Sequence, residues 1–399
     1  MAAADALSGR NVWVGVGKQA AFGTPVAPSK FFEVTALSGL LEEYQFKKSD
    51  RRVGSRFKPL GFKSAKKVPL SFTVEVNAQN IGLLLMLGFG ADAVAAAGAA
   101  FKHAASLVDV LPYFTFWAST DLVADTDAAD TIHQVINCKV ISLKLDGAVD
   151  DVLKCTIEAV GTARFPAFNS KAGIAGTGAS ASPNINAIAS TAGIVPGQTI
   201  TGANIPGGTT VLSVAATSLV MSANASGVVA SFSVAAPVPT FPTVRSLYLK
   251  AEEGQAKIEV GAAVGSLAEF DEATEFHFSI TNGVSPDMRI DTTPNASALK
   301  EGDSEMTGSF KVVYNRNSFV EIKAFQAGTG RAIRFTDTSV ELAATGQPYK
   351  LTLTSDKARY SGAPASFDPD LISADAQFEI EKTAAYPIIE VINTDSAAY

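Results

Sequence analysis

Three histidines, two cysteines and a few paired acids are the side chains through which this 399-residue chain could do chemistry. His103, His133 and His277 stand alone, and none is spaced from a cysteine or another histidine as zinc ligands are. Gly15-Val16-Gly17-Lys18 has the lysine of a phosphate-binding loop but neither its length nor the Ser or Thr that follows. The pair Asp150-Asp151 falls in an apparent turn, where a carboxylate is solvated. Cys138 and Cys155 flank a candidate hairpin at Asp146-Gly147. A two-residue turn there would set the thiols opposite one another but would also oppose Lys139 to Lys154. A longer turn through Asp151 separates them, and two buried, reduced thiols are expected. No nucleophile, base and orienting group come together, so the chain is expected to be no enzyme and to need no cofactor or metal.

The elements that carry these residues are mostly strands. Glu43-Tyr44-Gln45-Phe46 alternates as a strand does, gives way to a long polar loop, and resumes as Ser71-Phe72-Thr73-Val74-Glu75-Val76-Asn77. Glu275-Phe276-His277-Phe278, a second long loop and Ser309-Phe310-Lys311-Val312-Val313-Tyr314-Asn315 repeat that order. A short helical spacing follows each, at Asn80 to Leu87 and at Ser318 to Phe325. This pattern predicts a duplicated domain in a mainly β protein, with one short helix per copy. On the repeated strands Phe72, Val74, Val76, Phe310, Val312 and Tyr314 share the core face, and Ser71, Thr73, Glu75 and Lys311 the other. Antiparallel strands are also expected at Tyr113 to Trp117, Ile132 to Leu145 and Val152 to Thr162.

The two loops differ in charge. The first holds Lys47, Lys48, Arg51, Arg52, Arg56, Lys58, Lys63, Lys66 and Lys67 against the single acid Asp50, whereas the second holds Asp287, Asp291, Glu301, Asp303 and Glu305 against Arg289 and Lys300. Equivalent loops of opposite sign are candidates for head-to-tail contact between subunits. With 47% hydrophobic and only 18% charged residues, part of the surface is expected to meet other subunits. A formal charge of -7 argues against a protein that grips nucleic acid through its phosphates. Met1 to Arg10 lacks the basic and apolar regions of a secretory signal. Ile81 to Phe101 is apolar but interrupted by Asp92 and glycines, which predicts a packed helix ending after Leu87 and running into an Ala/Gly loop rather than a membrane span. The expectation is a soluble protein made in the cytoplasm.

Between Lys171 and Arg245 no charged residue or histidine occurs. β-Branched pairs recur there between tight turns, as in Gln198-Thr199-Ile200-Thr201 and Thr209-Thr210-Val211, which predicts a small β module rather than a linker. The domain reading is therefore residues 1–171 as a first domain, 172–240 as an inserted module with its linkers, and 241–399 as a second domain.

Gly17-Lys18-Gln19-Ala20-Ala21-Phe22-Gly23-Thr24-Pro25-Val26-Ala27-Pro28, the Ser71-Phe72-Thr73-Val74 strand, Phe278-Ser279-Ile280-Thr281-Asn282-Gly283-Val284 and Met306-Thr307-Gly308-Ser309-Phe310 together resemble the major tail tube proteins of long-tailed, siphovirus-type bacteriophages. The resemblance covers both halves and not the insert, which is similar to small, often immunoglobulin-like modules that decorate phage structural proteins. It implies β-sandwich or half-barrel domains whose sheets join between subunits into a barrel around a channel, with a long loop reaching a neighbour. It implies a virion protein that polymerises into stacked rings through which DNA is ejected, assembled around a tape-measure protein and ended by tail terminator and distal tail or baseplate proteins. Two domains per chain imply homotrimeric, pseudo-six-fold rings, with a homohexamer as the alternative and the insert projecting outward. Ser71, Thr73, Glu75 and Lys311 are then lumen candidates, and an acidic lining would let DNA pass without specific binding. A carbohydrate-binding or adhesin-type surface protein is a second reading, but between Ala172 and Pro239 Phe232 is the only aromatic residue. An outer-membrane barrel would need aromatic girdles and a signal peptide.

Overall fold

The structure, a computed structural model, describes residues 12–47, 62–119, 132–247, 256–270, 273–287, 295–313, 323, 327–362, 365–367, 372–383, 385 and 387–399. The first half runs through β1 (Trp13–Lys18), β2 (Lys30–Gly39), β3 (Glu43–Lys47), β4 (Phe62–Glu75), α1 (Ile81–Phe89), β5 (Gly90–Ala97), β6 (Ala100–Leu107), β7 (Phe114–Ser119), β8 (Ile132–Ala148), β9 (Lys154–Gly161) and β10 (Ala163–Ala167). A small sheet follows, from β11 (Ser170–Gly178), β12 (Asn184–Asn186), β13 (Thr199–Thr201), β14 (Val211–Val214) and β15 (Leu219–Met221) to β16 (Val229–Ala235). The second half comprises β17 (Lys257–Gly261), β18 (Ala268–Glu269), β19 (Ala273–Asn282), β20 (Ser285–Asp287), β21 (Ala298–Lys300), β22 (Ser304–Val313), β23 (Arg331–Ala344), β24 (Gln347–Gly362), β25 (Ala365–Phe367), β26 (Ile372–Ile380) and β27 (Ile388–Asn393). The protein is mainly β.

One antiparallel sheet crosses both halves in the order β2, β4, β9, β8, β19, β22, β26, β24. The halves share a frame. Phe72 of β4 lies opposite Leu37 of β2 and Ile157 of β9, and Phe310 of β22 lies opposite Phe276 of β19 and Ala376 of β26. Val16 of β1 faces Phe116 of β7, and Val260 of β17 faces Ile333 of β23. In this frame the partner of Phe72 comes from β2, whereas Glu43 to Phe46 pairs with the outer end of β4. The aromatic alternation of Glu43 to Phe46 therefore mimics Glu275 to Phe278 without sharing its place.

The apolar side of the sheet holds Phe72, Val74, Ile157, Leu143, Phe276, Phe278 and Phe310, all buried, at about 1.5–3 kcal/mol for each large side chain. All nine residues of α1 are buried. The helix continues through Gly88, where a Cβ would fall 2.9 Å from Leu143 Cδ1, so the missing side chain allows the helix to settle on β8. It stops at Gly90, in the left-handed region at φ 108, whose N–H caps Met86 O. The helix thus ends two residues beyond the expected Leu87. The Ala/Gly stretch after it is the β5–β6 hairpin rather than a loop. The second helical segment, Ser318 to Phe325, lies outside the described residues except for Lys323. Phe89 stacks on Phe278 at 6.2 Å, joining the helix of the first half to the first long strand of the second.

The small sheet has its own core, with Ile185, Ile200, Val211, Leu219, Phe232 and Val234 buried together. It is seated on the first half: Val195 and Ala236 pack with Trp13, Trp117 and Ile132, and Gln134 Nε2 donates to Pro196 O at 2.7 Å. Both cysteines are buried free thiols. β8 and β9 pair Leu145 with Cys155 and Lys139 with Val160, so the wider turn separates Cys138 from Cys155 and keeps Lys139 away from Lys154.

Candidate functional site: a polar sheet face crossing both halves

Period-two alternation puts the other side of every strand of the main sheet into one polar surface. One row of directly paired residues runs Thr73, Thr156, Lys144, Ser279, Thr307, Glu379, Arg359, crossing seven strands with no apolar member. The next row runs Glu75, Lys154, Asp146, His277, Ser309, Gln377. A third passes from Ser38 through Ser71 and Glu158 to Ser142 and Thr281.

The side chains of these rows bond to one another. Thr73 and Thr156 hydroxyls lie 2.9 Å apart, and Ser142 Oγ donates to Glu158 Oε2 at 2.8 Å. Lys144 Nζ sits 3.5 Å from Glu158, and Lys311 Nζ donates to Glu275 at 3.0 Å. That hydrogen bond from Lys311 holds the Glu275 carboxyl below the usual range. At the seam between the halves His277 Nδ1 meets Asp146 Oδ1 at 2.8 Å, and this hydrogen bond raises the imidazole pKa despite partial burial. Asp146, Glu158, Glu75, Glu275, Asp375 and Glu379 outnumber Lys144, Lys154, Lys311 and Arg359, and the pairs are half-exposed, so the face is hydrated and mildly acidic.

All four residues expected on the non-core face, Ser71, Thr73, Glu75 and Lys311, lie on this surface, with Phe72, Val74, Phe310 and Val312 buried behind them. The same alternation applied to β8 and β9 would have added Lys144, Asp146, Thr156 and Glu158. The sequence reading did not extend it to those strands.

The loop candidates are placed differently. Lys48, Arg51, Arg52, Arg56, Lys58 and Asp291 lie outside the described residues. Lys47 and Lys63 belong to strands, in the β3–β4 hairpin, as do Lys66 and Lys67. Lys66 Nζ pairs with Glu42 at 2.5 Å and Lys67 with Glu43 at 3.3 Å, so the basic segment is in part a ribbon with its own counter-charges. In the second loop Asp287 pairs with Lys300 at 3.0 Å inside the β20–β21 ribbon, and the Asp303 carbonyl accepts from Gly283 N–H. Glu305 stands opposite Thr281. Glu301 reaches into the first half of its own chain, where it accepts from Leu111 N–H and from the buried ammonium of Lys139. Lys66 and Asn295 form a backbone bridge, so the two loops touch within one chain.

Among the described residues no three His, Cys, Asp or Glu side chains are grouped to hold a metal ion. No helix among them is long and apolar enough to cross a membrane.

The described residues form a mainly β chain with one polar face and one apolar face. The family profile described as phage tail tube protein matches residues 9–240, more than half of the sequence, and the chain belongs to that family. Membership makes it a structural component of a phage tail, in a family of proteins that assemble into a tube. The matched span covers the first half together with the small sheet and stops before the second half, whereas the resemblance read from the sequence covered both halves and left out the insert. No curated protein matches the chain.

Proposed function

We propose that this chain is the major tail tube subunit of a siphovirus-type phage, polymerising into stacked rings around a channel through which the genome is ejected. The observation that carries this reading is the unbroken polar face of the sheet running from β4 to β24 across both halves. A face of that width, curved around a channel, lines it with hydroxyls and paired charges. A surplus of carboxylates leaves phosphates no cation cluster to bind, so DNA slides past. Ser71, Thr73, Glu75 and Lys311 are in this reading lumen residues. The repeated frame of the halves supports a duplicated tube domain, residues 1–171 and 241–399, and hence rings of three chains with pseudo-six-fold symmetry. The inserted module, residues 172–240, whose sheet begins at Ser170 and is seated on Trp13 and Trp117 at the far side of β8 from the seam, is a decoration that projects outward. The tape-measure protein occupies the channel during assembly in the host cytoplasm, and terminator and distal tail proteins close the ends. The basic hairpin around Lys47, Lys48, Arg51, Arg52, Arg56, Lys58 and Lys63 and the acidic ribbon around Asp287, Asp291, Glu301, Asp303 and Glu305 contact adjoining subunits with the charge each has left over.

Electron microscopy of concentrated protein tests this. Tubes with three outward protrusions per ring are expected; a protein that stays monomeric at high concentration would sink the reading.

A further inference from the structure

The seam inside the chain, where β8 pairs with β19, is a template for a seam between chains. In the shared frame β2 beside β4 corresponds to β19 beside β22. β19 is held by β22 on one edge and by β8 on the other. β2 is held by β4 over Val34 to Gly39, and among the described residues no strand pairs with its opposite edge there. At the other end of the sheet β25 pairs with β26, and among the described residues no strand covers its outer edge.

The two open edges carry the same frame as the closed seam. Because Phe72 and Phe310 occupy the same place, Leu37 opposite Phe72 corresponds to Phe276 opposite Phe310, and Ser38 to His277. Likewise Leu145, opposite Cys155, corresponds to Ala365, opposite Ala374, and Asp146 to Ser366. The internal seam pairs His277 with Asp146 and Phe276 with Gly147. We propose that β25 of one chain adds to the open edge of β2 of a second copy, antiparallel, with Ser366 opposite Ser38 and Phe367 opposite Leu37. This rests on the tube reading above and names the strands that would join its subunits.

The chemistry of the edge fits a strand rather than solvent. Exposed edges in monomeric proteins are guarded by lysine, proline or an inward charge. From Val34 to Leu41 there is none of these, and Ala36, Ser38 and Leu41 are exposed. A head-to-tail pairing of two different edges also propagates from copy to copy until it closes, as a ring requires. The hydroxyl row Ser38, Ser71, Glu158 would then continue from one chain into the next, extending the polar face without a break.

Paired cysteines test the register. The full chain carrying both Ser38→Cys and Ser366→Cys, assembled and mildly oxidised, should give a covalent ladder on a non-reducing gel that ends at the trimer, while each single variant gives none. A ladder ending at six chains would support the seam and replace the three-chain ring. Tubes visible by electron microscopy without a ladder, or a ladder from Ala36→Cys with Ser366→Cys in its place, would overturn the proposed register and leave the tube reading standing. Chains that form no tubes before substitution would overturn both. Should the cysteine variants fold poorly, Ser38→Lys offers an independent measurement. It should cut tube formation at least tenfold with an unchanged circular dichroism spectrum, while Leu212→Lys on the small sheet leaves assembly intact; tubes from Ser38→Lys at the wild-type yield would overturn the seam.

Discussion

His277 and Asp146 face each other across the β8–β19 seam, Nδ1 to Oδ1 at 2.8 Å, so the one charged contact in their row between the halves is carried by an imidazole, whose charge depends on pH. The neighbouring Glu275 stands 3.7 Å from the other ring nitrogen and adds to the effect.

The sign of its pH dependence follows from the raised pKa of His277, caused first by the Asp146 hydrogen bond. A raised folded pKa means the pair stabilises fully below the imidazole's ordinary value and loses its effect as pH rises through the folded value. Both groups are nearly half-exposed, so the contribution is under about 1 kcal/mol. His277→Gln should therefore lower stability to chemical denaturation near pH 6 and leave it unchanged near pH 9. Taking the difference from the parent protein cancels the contribution of His103, whose pKa burial alone would lower but its bond to Asp92 raises. Equal losses at both pH values would remove the seam pair from the account.

A thiol titration checks the cysteines. Cys138 and Cys155 are fully buried, and desolvation pushes both thiols well above their ordinary pKa. Neither should react with a water-soluble disulfide reagent in the folded protein, and both should react in denaturant. Rapid labelling of either in the native state would contradict the packing of β8 against β9.

How much of this was legible beforehand depends on where the signal sits. The alternation of Ser71, Thr73 and Glu75 with Phe72 and Val74 is strong because one face is wet and the other packed, and the structure keeps it residue for residue. β2 was harder, because Thr35-Ala36-Leu37-Ser38-Gly39 is small and nearly patternless, and its pairing with β4 shifts by a residue between Val34 and Ala36. The more regular Glu43 to Phe46 took its place in the reading. The β5–β6 hairpin was hidden for another reason: alanine has little strand preference, so Ala93 to Ala97 reads as loop until β27 supplies the partner for β6. Glu301 could not have been assigned from spacing at all, since its partner Lys139 is 162 residues away.

Asp337 offers a test of burial. It is fully enclosed on β23, and neither carboxylate oxygen has a hydrogen-bond partner among the described residues. Burial raises its pKa from 3.8 to about 7. The folded chain thus holds the proton more tightly than the unfolded one, so Asp337 costs nothing below about pH 4 and progressively more up to about pH 7. At 1.36 kcal/mol per pKa unit the ceiling is about 4 kcal/mol. Asp337→Asn should stabilise the protein by about 2 to 4 kcal/mol near pH 8, with a gain that shrinks toward zero near pH 4. A variant less stable than its parent at pH 8 would mean that the carboxylate has a partner in solution.

Lys139 and Glu301 should respond unequally to substitution. The Lys139 side chain is 2% exposed and its ammonium lies 4.1 Å from the centre of the Tyr113 ring, whereas the Glu301 side chain is 21% exposed. Removing the lysine frees a carboxylate that can turn toward water, at about 1 to 3 kcal/mol. Removing the acid strands a buried cation, at about 3 to 5 kcal/mol. Glu301→Gln should therefore be the more damaging change, and adding Lys139→Met to it should recover part of the loss. Chemical denaturation of the two single variants and the double one measures the coupling directly. If the singles are equal and additive, the ion pair does not fasten the acidic ribbon to the first half, and Glu301 is then free to serve a neighbouring subunit.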